Sequence, residues 1–178
     1  MVIPNIINLF GDAKYKTQGL EDMKSQTCCF TGHRKLPKDK IEKIVLSLAR
    51  EVDNLIAQGV TDFISGGALG FDQIAASLII AKKEMGQKIR LIFALPCKNQ
   101  DELWSDEQKR LYHNILAEAD EVIYVSEEYT NGCMKNRNRY MVDQSAYCIF
   151  ALLHPMSGTD QTVRYARQKG LRVINVAK

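Results

Sequence analysis

The chain has 178 residues, 46% of them hydrophobic and 25% charged, a balance that predicts one domain with a sizeable core and implies no disorder. A formal charge of +3 does not by itself call for a nucleic-acid partner, since the basic residues are scattered apart from a local concentration at Lys135, Arg137 and Arg139. Five cysteines, Cys28, Cys29, Cys97, Cys133 and Cys148, are odd in number and form no Cys-x-x-Cys pair, which predicts reduced, buried thiols in a cytoplasmic protein with no metal site.

Residues 1–26 read as an N-terminal extension. Its apolar start, Val2, Ile3, Ile6, Ile7, Leu9 and Phe10, lacks a basic flank and is interrupted by Pro4, Asn5 and Asn8, so it does not read as a signal peptide. Residues 11–26 are polar and read as an arm or linker, and no segment is long enough to span a membrane. From residue 27 to 178 the pattern is regular and forms the domain proper.

A short apolar strand at 27–31 ends in Gly32-His33-Arg34. Cys28 and Cys29 are neighbours on it, so their side chains should point to opposite faces, against a shared metal. Pro37 then precedes an amphipathic helix at 38–58, with Ile41, Ile44, Val45, Leu48, Val52, Leu55 and Ile56 along one face and Gly59 closing it. A strand at 60–65 runs into the turn Ser65-Gly66-Gly67-Ala68-Leu69-Gly70-Phe71-Asp72, which opens a helix at 71–85. The strand at 89–95 is stopped by Pro96, and the helix at 103–119 has Leu111, Ile115 and Leu116 on its apolar side. A strand at 121–125, a polar loop at 126–131, a helix at 133–144 and an apolar strand at 147–153 follow. His154 to Thr159 leads into a helix at 160–169, capped by Gly170, and a last strand at 172–176. Strands alternating with helices over short connections predict an α/β three-layer sandwich, its mainly parallel sheet covered by helices on both faces.

Such sheets bind ligands at the C-terminal edge of their strands, near the point where strand order reverses. Three polar clusters fall on that edge: Thr31 to Arg34, Ser65 to Asp72, and Ser157-Gly158-Thr159 with Thr162. A fourth, Met134 to Asp143, lies just before the fifth strand. The glycines of the second cluster remove Cβ atoms where the chain turns, and the helix behind them offers unpaired N–H groups and a positive dipole end, a setting that suits a phosphate. The spacing is neither that of the NTPase phosphate loop nor the full dinucleotide fingerprint.

Each of these clusters has a plainer reading beside the chemical one. Asp72 stabilises a helix start whatever its function, or it contacts sugar hydroxyls and handles a proton. Ser157 and Thr159 cap a helix, or they hold part of a ligand. Arg137 and Arg139 sit on a solvated face, or a guanidinium is aimed at phosphate oxygens. His33 and Arg34 follow the first strand and reach the same edge, whereas His113 and His154 have no neighbour at metal-ligand spacing and read as surface or packing residues.

At Thr31-Gly32-His33-Arg34, Ser65 to Asp72, Arg137-Asn138-Arg139-Tyr140-Met141-Val142-Asp143 and Ser157-Gly158-Thr159 with Thr162, the sequence resembles the SLOG superfamily. That Rossmann-like group includes the cytokinin-activating Lonely-guy phosphoribohydrolases and the DNA-processing protein A family, and the likeness is nearest to small uncharacterised bacterial members. It covers almost everything after residue 26. Met134-x-x-Arg137-Asn138-x-x-Met141 is similar to the Met-x-x-Arg-Lys-x-x-Met pattern of the Lonely-guy enzymes, which cleave the bond between a base and ribose 5′-phosphate, and Arg137 matches their functional arginine. Those enzymes carry a Glu where this chain has Thr162, so any carboxylate chemistry falls to Asp72. Ser65 to Asp72 resembles the single-stranded-DNA-binding turn of the DNA-processing family, with Leu69 in place of its central basic residue.

The resemblance therefore implies a protein that binds a nucleotide or nucleotide-derived small molecule, as a sensor or as an N-glycosidic hydrolase, with single-stranded nucleic acid as the alternative partner. It implies catalytic roles for Asp72 and Arg137 and ligand contacts from Thr31, Gly32, His33, Arg34, Ser65, Gly66, Gly67, Gly70, Asn138, Ser157, Gly158, Thr159 and Thr162. It implies a homodimer, and neither cofactor nor membrane attachment.

Overall fold

Apolar strand runs and amphipathic helices alternate along the computed structural model, which describes residue 19 and residues 21–178. In chain order they are β1 (Thr27–Gly32), α1 (Lys38–Ala57), β2 (Asp62–Ser65), α2 (Phe71–Glu84), β3 (Arg90–Leu95), α3 (Asp106–Ala117), β4 (Glu121–Tyr124), α4 (Cys133–Asp143), β5 (Tyr147–Ala151), α5 (Gly158–Gln168) and β6 (Arg172–Asn175). The strands form one sheet in the order β4-β3-β2-β1-β5-β6, and every pairing is parallel. The chain steps outward from β1 to β4, then returns across the sheet through α4 to place β5 on the other side of β1. Strand order therefore reverses between β1 and β5.

Strand residues alternate between two cores. Cys28, Phe30, Phe63, Leu91, Phe93 and Ile149 face one side, where α1 contributes Ile44, Leu48, Val52 and Leu55, α2 contributes Phe71, Ala75 and Ile79, and α3 contributes Tyr112 and Ile115. Cys29, Ile64, Ile92, Ala94, Cys148 and Phe150 face the other, under Met141 and Val142 of α4 and Val163 and Ala166 of α5. The adjacent cysteines thus separate onto opposite faces. Central strands buried on both sides need continuous apolar runs, which is why β1, β3 and β5 carry them. Each large side chain so buried contributes on the order of 1.5–3 kcal/mol.

Several local expectations change. Helix α3 starts at Asp106, not at residue 103, because Ser105 forms a capping box: its hydroxyl accepts from Gln108 N at 3.3 Å, and Gln108 Oε1 accepts from Ser105 N at 3.0 Å. That shifts the apolar stripe to Tyr112 and Ile115, leaving Leu103 96% and Leu111 51% exposed. Helix α5 starts two residues earlier than its periodicity indicates, with Ser157 as N-cap accepting from Asp160 N at 3.1 Å. The polar stretch before β1 is not wholly an arm: residues 21–25 are helical, and Gln26 O accepts the N–H groups of Thr61 and Asp62 at 3.0 and 3.1 Å. The expectations for residues 1–18 and 20 lie outside the described residues. Among those described, all five thiols are free and buried, and no helix is long and apolar enough to cross a membrane.

Candidate functional site

The helices that follow β1 and β5 lie on opposite faces of the sheet, so the chain parts at the C-terminal edge and leaves a cleft of about 230 Å³. Its walls are Thr31, Gly32, His33 and Arg34 after β1, Ala68 and Asp72 from the turn into α2, Met134, Arg137 and Asn138 from α4, and Ser157, Gly158 and Thr159 at the start of α5. Three of these groups are the polar clusters placed on that edge from sequence. The fourth belongs there too: α4 follows the loop after β4, and Arg137 on its second turn donates to Gly66 O just after β2, so its first two turns overlie the cleft while its end feeds β5.

Cys133, Arg137 and Met141 are the buried positions of α4 at helical spacing, so Arg137 occupies a place on the sheet-facing stripe that an apolar residue would ordinarily fill. It is 4% exposed. Arg139 points the other way, its guanidinium 5.2 Å from the ring centre of Tyr165. The two readings left open for this pair thus separate: Arg139 lies on the solvated side and Arg137 on the inner one.

The Arg137 guanidinium is held on two sides. Nη1 donates to Gly66 O and lies 3.9 Å from Asp72 Oδ2, and Nε donates to Asn138 Oδ1 at 2.8 Å. Nη2 has only the Met134 thioether, at 3.9 Å, a weak acceptor. Among the described residues it has no oxygen partner. Asn138 is held in turn, its amide donating to Thr162 Oγ1 at 3.0 Å while the Thr162 hydroxyl donates to Gly158 O at 2.8 Å.

Asp72, also 4% exposed, stands in the first turn of α2. Burial pushes its carboxyl up to about 6, against the pull of the Arg137 guanidinium, the Ala68 N–H and Arg34. Burial likewise lowers Arg137 from its ordinary value, with Asp72 opposing. Across the cleft, His33 Nε2 accepts the backbone N–H of His154 at 3.3 Å, and the two rings lie 5.4 Å apart. Burial and then His154 lower the His33 pKa, so the ring is neutral near pH 7 with its proton on Nδ1.

Ser65, Gly66, Gly67 and Gly70 stand behind this wall and do not line it. A Cβ on Gly66 would lie 1.7 Å from Arg137 Nη1, so the close approach that this glycine allows is that of an arginine. Gly70, at φ +82°, lets the backbone pass Arg34, whose carbonyl oxygen a Cβ would meet at 2.3 Å. Ser65 Oγ donates to Asp72 O at 2.9 Å and accepts from Gly67 N at 3.2 Å. The glycine turn is a brace that fixes Asp72 and seats Arg137. Thr162 likewise supports the cleft through Asn138 without lining it. Sequence reasoning did not single out Ala68, Met134 or His154 as site residues; Met134 was legible in its three-residue spacing from Arg137. Among the described residues no three His, Cys, Asp or Glu side chains come together as a metal site.

The sequence matches the model of the YspA SLOG family over residues 28–170. It is 36% identical over 118 residues to the uncharacterized SPβ prophage-derived protein YoqJ of Bacillus subtilis, which spans 60% of this chain and 69% of that protein. It is 29% identical over 107 residues to a UPF0398 protein of Halalkalibacterium halodurans, and there the match covers 59% of this chain and 57% of the relative. Two solved structures share the fold. DNA processing protein A from Helicobacter pylori superposes with a TM-score of 0.61 at 22% identity, over 88% of this chain and 67% of its own. Its counterpart from Streptococcus pneumoniae gives 0.57 at 19% identity, over 86% of this chain and 50% of its own. With the family model spanning most of the domain, from within β1 to just before β6, the chain belongs to the YspA SLOG family.

Proposed function

We propose that the cleft binds the 5′-phosphate and ribose of a nucleotide or nucleotide-derived small molecule. The observation that carries this reading is Arg137: a buried guanidinium at a cleft wall, with Nη2 lacking an oxygen acceptor among the described residues, opposite the first turn of α5. A buried cation is costly unless its donors are matched, and phosphate oxygens match a guanidinium fork. The N–H groups at the start of α5 and the Thr159 hydroxyl supply further donors on the opposite wall, while the Ser157 hydroxyl donates to His154 O at 3.2 Å. His33 adds a neutral donor, and Asp72 is the acceptor for ribose hydroxyls.

Asp72 also supports an enzymatic form of the same reading. A carboxyl that titrates near 6 exchanges protons close to neutral pH. In hydrolysis, water would add to the anomeric carbon, the carbon–nitrogen bond would break, and the base would leave with a proton. Ionised Asp72 would stabilise the ribosyl cation or take the proton of the water, the part that Thr162 cannot play. A homodimer, expected from the resemblance, belongs to the same proposal and is read by light scattering.

The test is thermal unfolding with nucleoside monophosphates, ADP-ribose, NAD, cyclic nucleotides and a single-stranded oligonucleotide. A ligand at about a hundred times its Kd adds roughly 2.7 kcal/mol, several degrees for a chain of this size. A shift with phosphate-bearing nucleotides supports the reading, and release of free base on incubation makes the protein a hydrolase. A shift with the oligonucleotide alone, falling steeply with salt, would transfer the site to nucleic acid.

A further inference from the structure

On the face of the sheet that carries Cys29, Ile64 and Cys148, the covering helices among the described residues are α4 and α5, and α5 packs on β1, β5 and β6. The other face has three helices, α1, α2 and α3. A parallel sheet calls for cover on both faces. Over the first residues of β2, β3 and β4 the two-helix face keeps a groove of about 120 Å³. Its apolar lining is Ile64, Ile92 and Ile123 from the three strands, Tyr140 from α4, and Met23. Ile123 and Tyr140 are half-buried, and Met23 is 60% exposed. Apart from Lys24, the charged side chains on its wall answer one another, Arg90 pairing with Asp62 at 3.3 Å and with Glu121 at 2.8 Å. That pairing leaves the groove suited to an apolar, uncharged occupant.

The chain supplies one. Met23 and Lys24 belong to the helical residues 21–25, so the polypeptide enters the described structure along the wall of this groove. Upstream, residues 2–11 contain no charged side chain, and Ile3, Ile6, Ile7 and Phe10 follow the i, i+3, i+4, i+7 spacing of one helix face. Asn5 and Asn8, which break the run when it is read linearly, fall on the opposite side of such a helix. Pro4 falls in its first turn, where a missing N–H costs nothing, and Gly11 just past its end. Residues 11–20 can span up to roughly 33 Å when extended, ample to cross three strands about 4.8 Å apart.

We propose that residues 3–10 form an amphipathic helix that docks in this groove of the same chain, laying Ile3, Ile6, Ile7 and Phe10 on the β2–β4 floor. So short a segment does not hold a helix alone in water, so its folding and its docking are one event. Because Tyr140 belongs to α4, the docked helix also braces the element that carries Arg137.

Photo-cross-linking of the 178-residue chain tests this, with p-benzoylphenylalanine in place of Leu9, which borders the apolar stripe and leaves its four anchors intact. Peptide mapping after irradiation should find cross-links within one chain to Met23, Ile123 or Tyr140. Cross-links between chains would overturn the proposal in favour of a second copy exchanging the segment. Cross-links to the cavity beside Leu78 and Leu111 on the three-helix face, or none to the groove, would overturn it outright. Thermal melts give an independent reading, because the residues exchanged lie outside the domain proper. Ile6→Asp/Phe10→Asp should lower the midpoint by roughly 4 °C or more, and Asn5→Asp/Asn8→Asp, on the opposite side, by about 1 °C or less. Equal midpoints for the two variants would contradict a docked apolar face.

Discussion

Gly66 and Arg137 are fitted to each other across 71 positions of sequence: the arginine Nη1 donates to the glycine carbonyl and fills the space in which any Cβ would stand. The glycine of the turn and the arginine of the returning helix therefore form one structural unit. Gly66→Ala should displace the guanidinium, at a cost of about 1–3 kcal/mol for overpacking. Nucleotide binding should be lost together with stability, and urea melts with ligand titration would read both. An alanine variant that keeps full stability and affinity would show that Arg137 is not seated by this contact.

Arg137 and Asp72 are a buried pair at 3.9 Å, so deleting the cation strands the carboxylate. Arg137→Met should lose about 3 kcal/mol at pH 7.5 and less at pH 5, where Asp72 is mostly protonated. Adding Asp72→Asn to that variant should restore stability at pH 7.5. Denaturant melts of the two variants at both pH values settle the matter, and a loss independent of pH would mean that the pair is not coupled.

The raised pKa of Asp72 has a sign. Between 3.8 and about 6 the folded protein holds a proton that the unfolded chain has released, so stability falls as pH rises through that window and levels off above it. At 1.36 kcal/mol per pH unit the whole effect is about 3 kcal/mol. Asp72→Asn should lack this slope. Urea melts from pH 4 to 7.5 should therefore show wild type losing ground to the variant up to about pH 6 and running parallel beyond it. Parallel curves throughout would contradict the burial assigned to this carboxyl.

Thr162 acts through Asn138, accepting its amide at 3.0 Å while donating to Gly158 O at 2.8 Å. Thr162→Val removes both bonds at nearly constant volume. The expected cost is about 1 kcal/mol per lost bond, with affinity for nucleotides falling several-fold as Asn138 loses its orientation. Paired melts and titrations measure the two effects, and unchanged affinity would assign Thr162 to packing alone.

The order of elements was legible because strand and helix periods differ sharply, and the separation of Cys28 from Cys29 followed from strand geometry. Helix ends were less so: the Ser105 capping box overrode an apolar residue, Leu103, that periodicity would include. The polar edge was legible where clusters follow their own strands. The place of Arg137 was not, because α4 crosses from the edge strand β4 to β5, and only that path brings residue 137 against Gly66. The same long-range contact explains why the glycine turn, which reads from sequence as a phosphate cradle, serves as a seat for an arginine.

The measurement to make first compares the four ribonucleoside 5′-monophosphates with their parent nucleosides by calorimetric titration of the wild-type protein, repeated with the Arg137→Met/Asp72→Asn variant. At least one monophosphate should bind tenfold or more tightly than its nucleoside, and the variant should lose that difference. Nucleosides binding as well as their monophosphates, or a phosphate preference that survives in the variant, would contradict a phosphate site at Arg137.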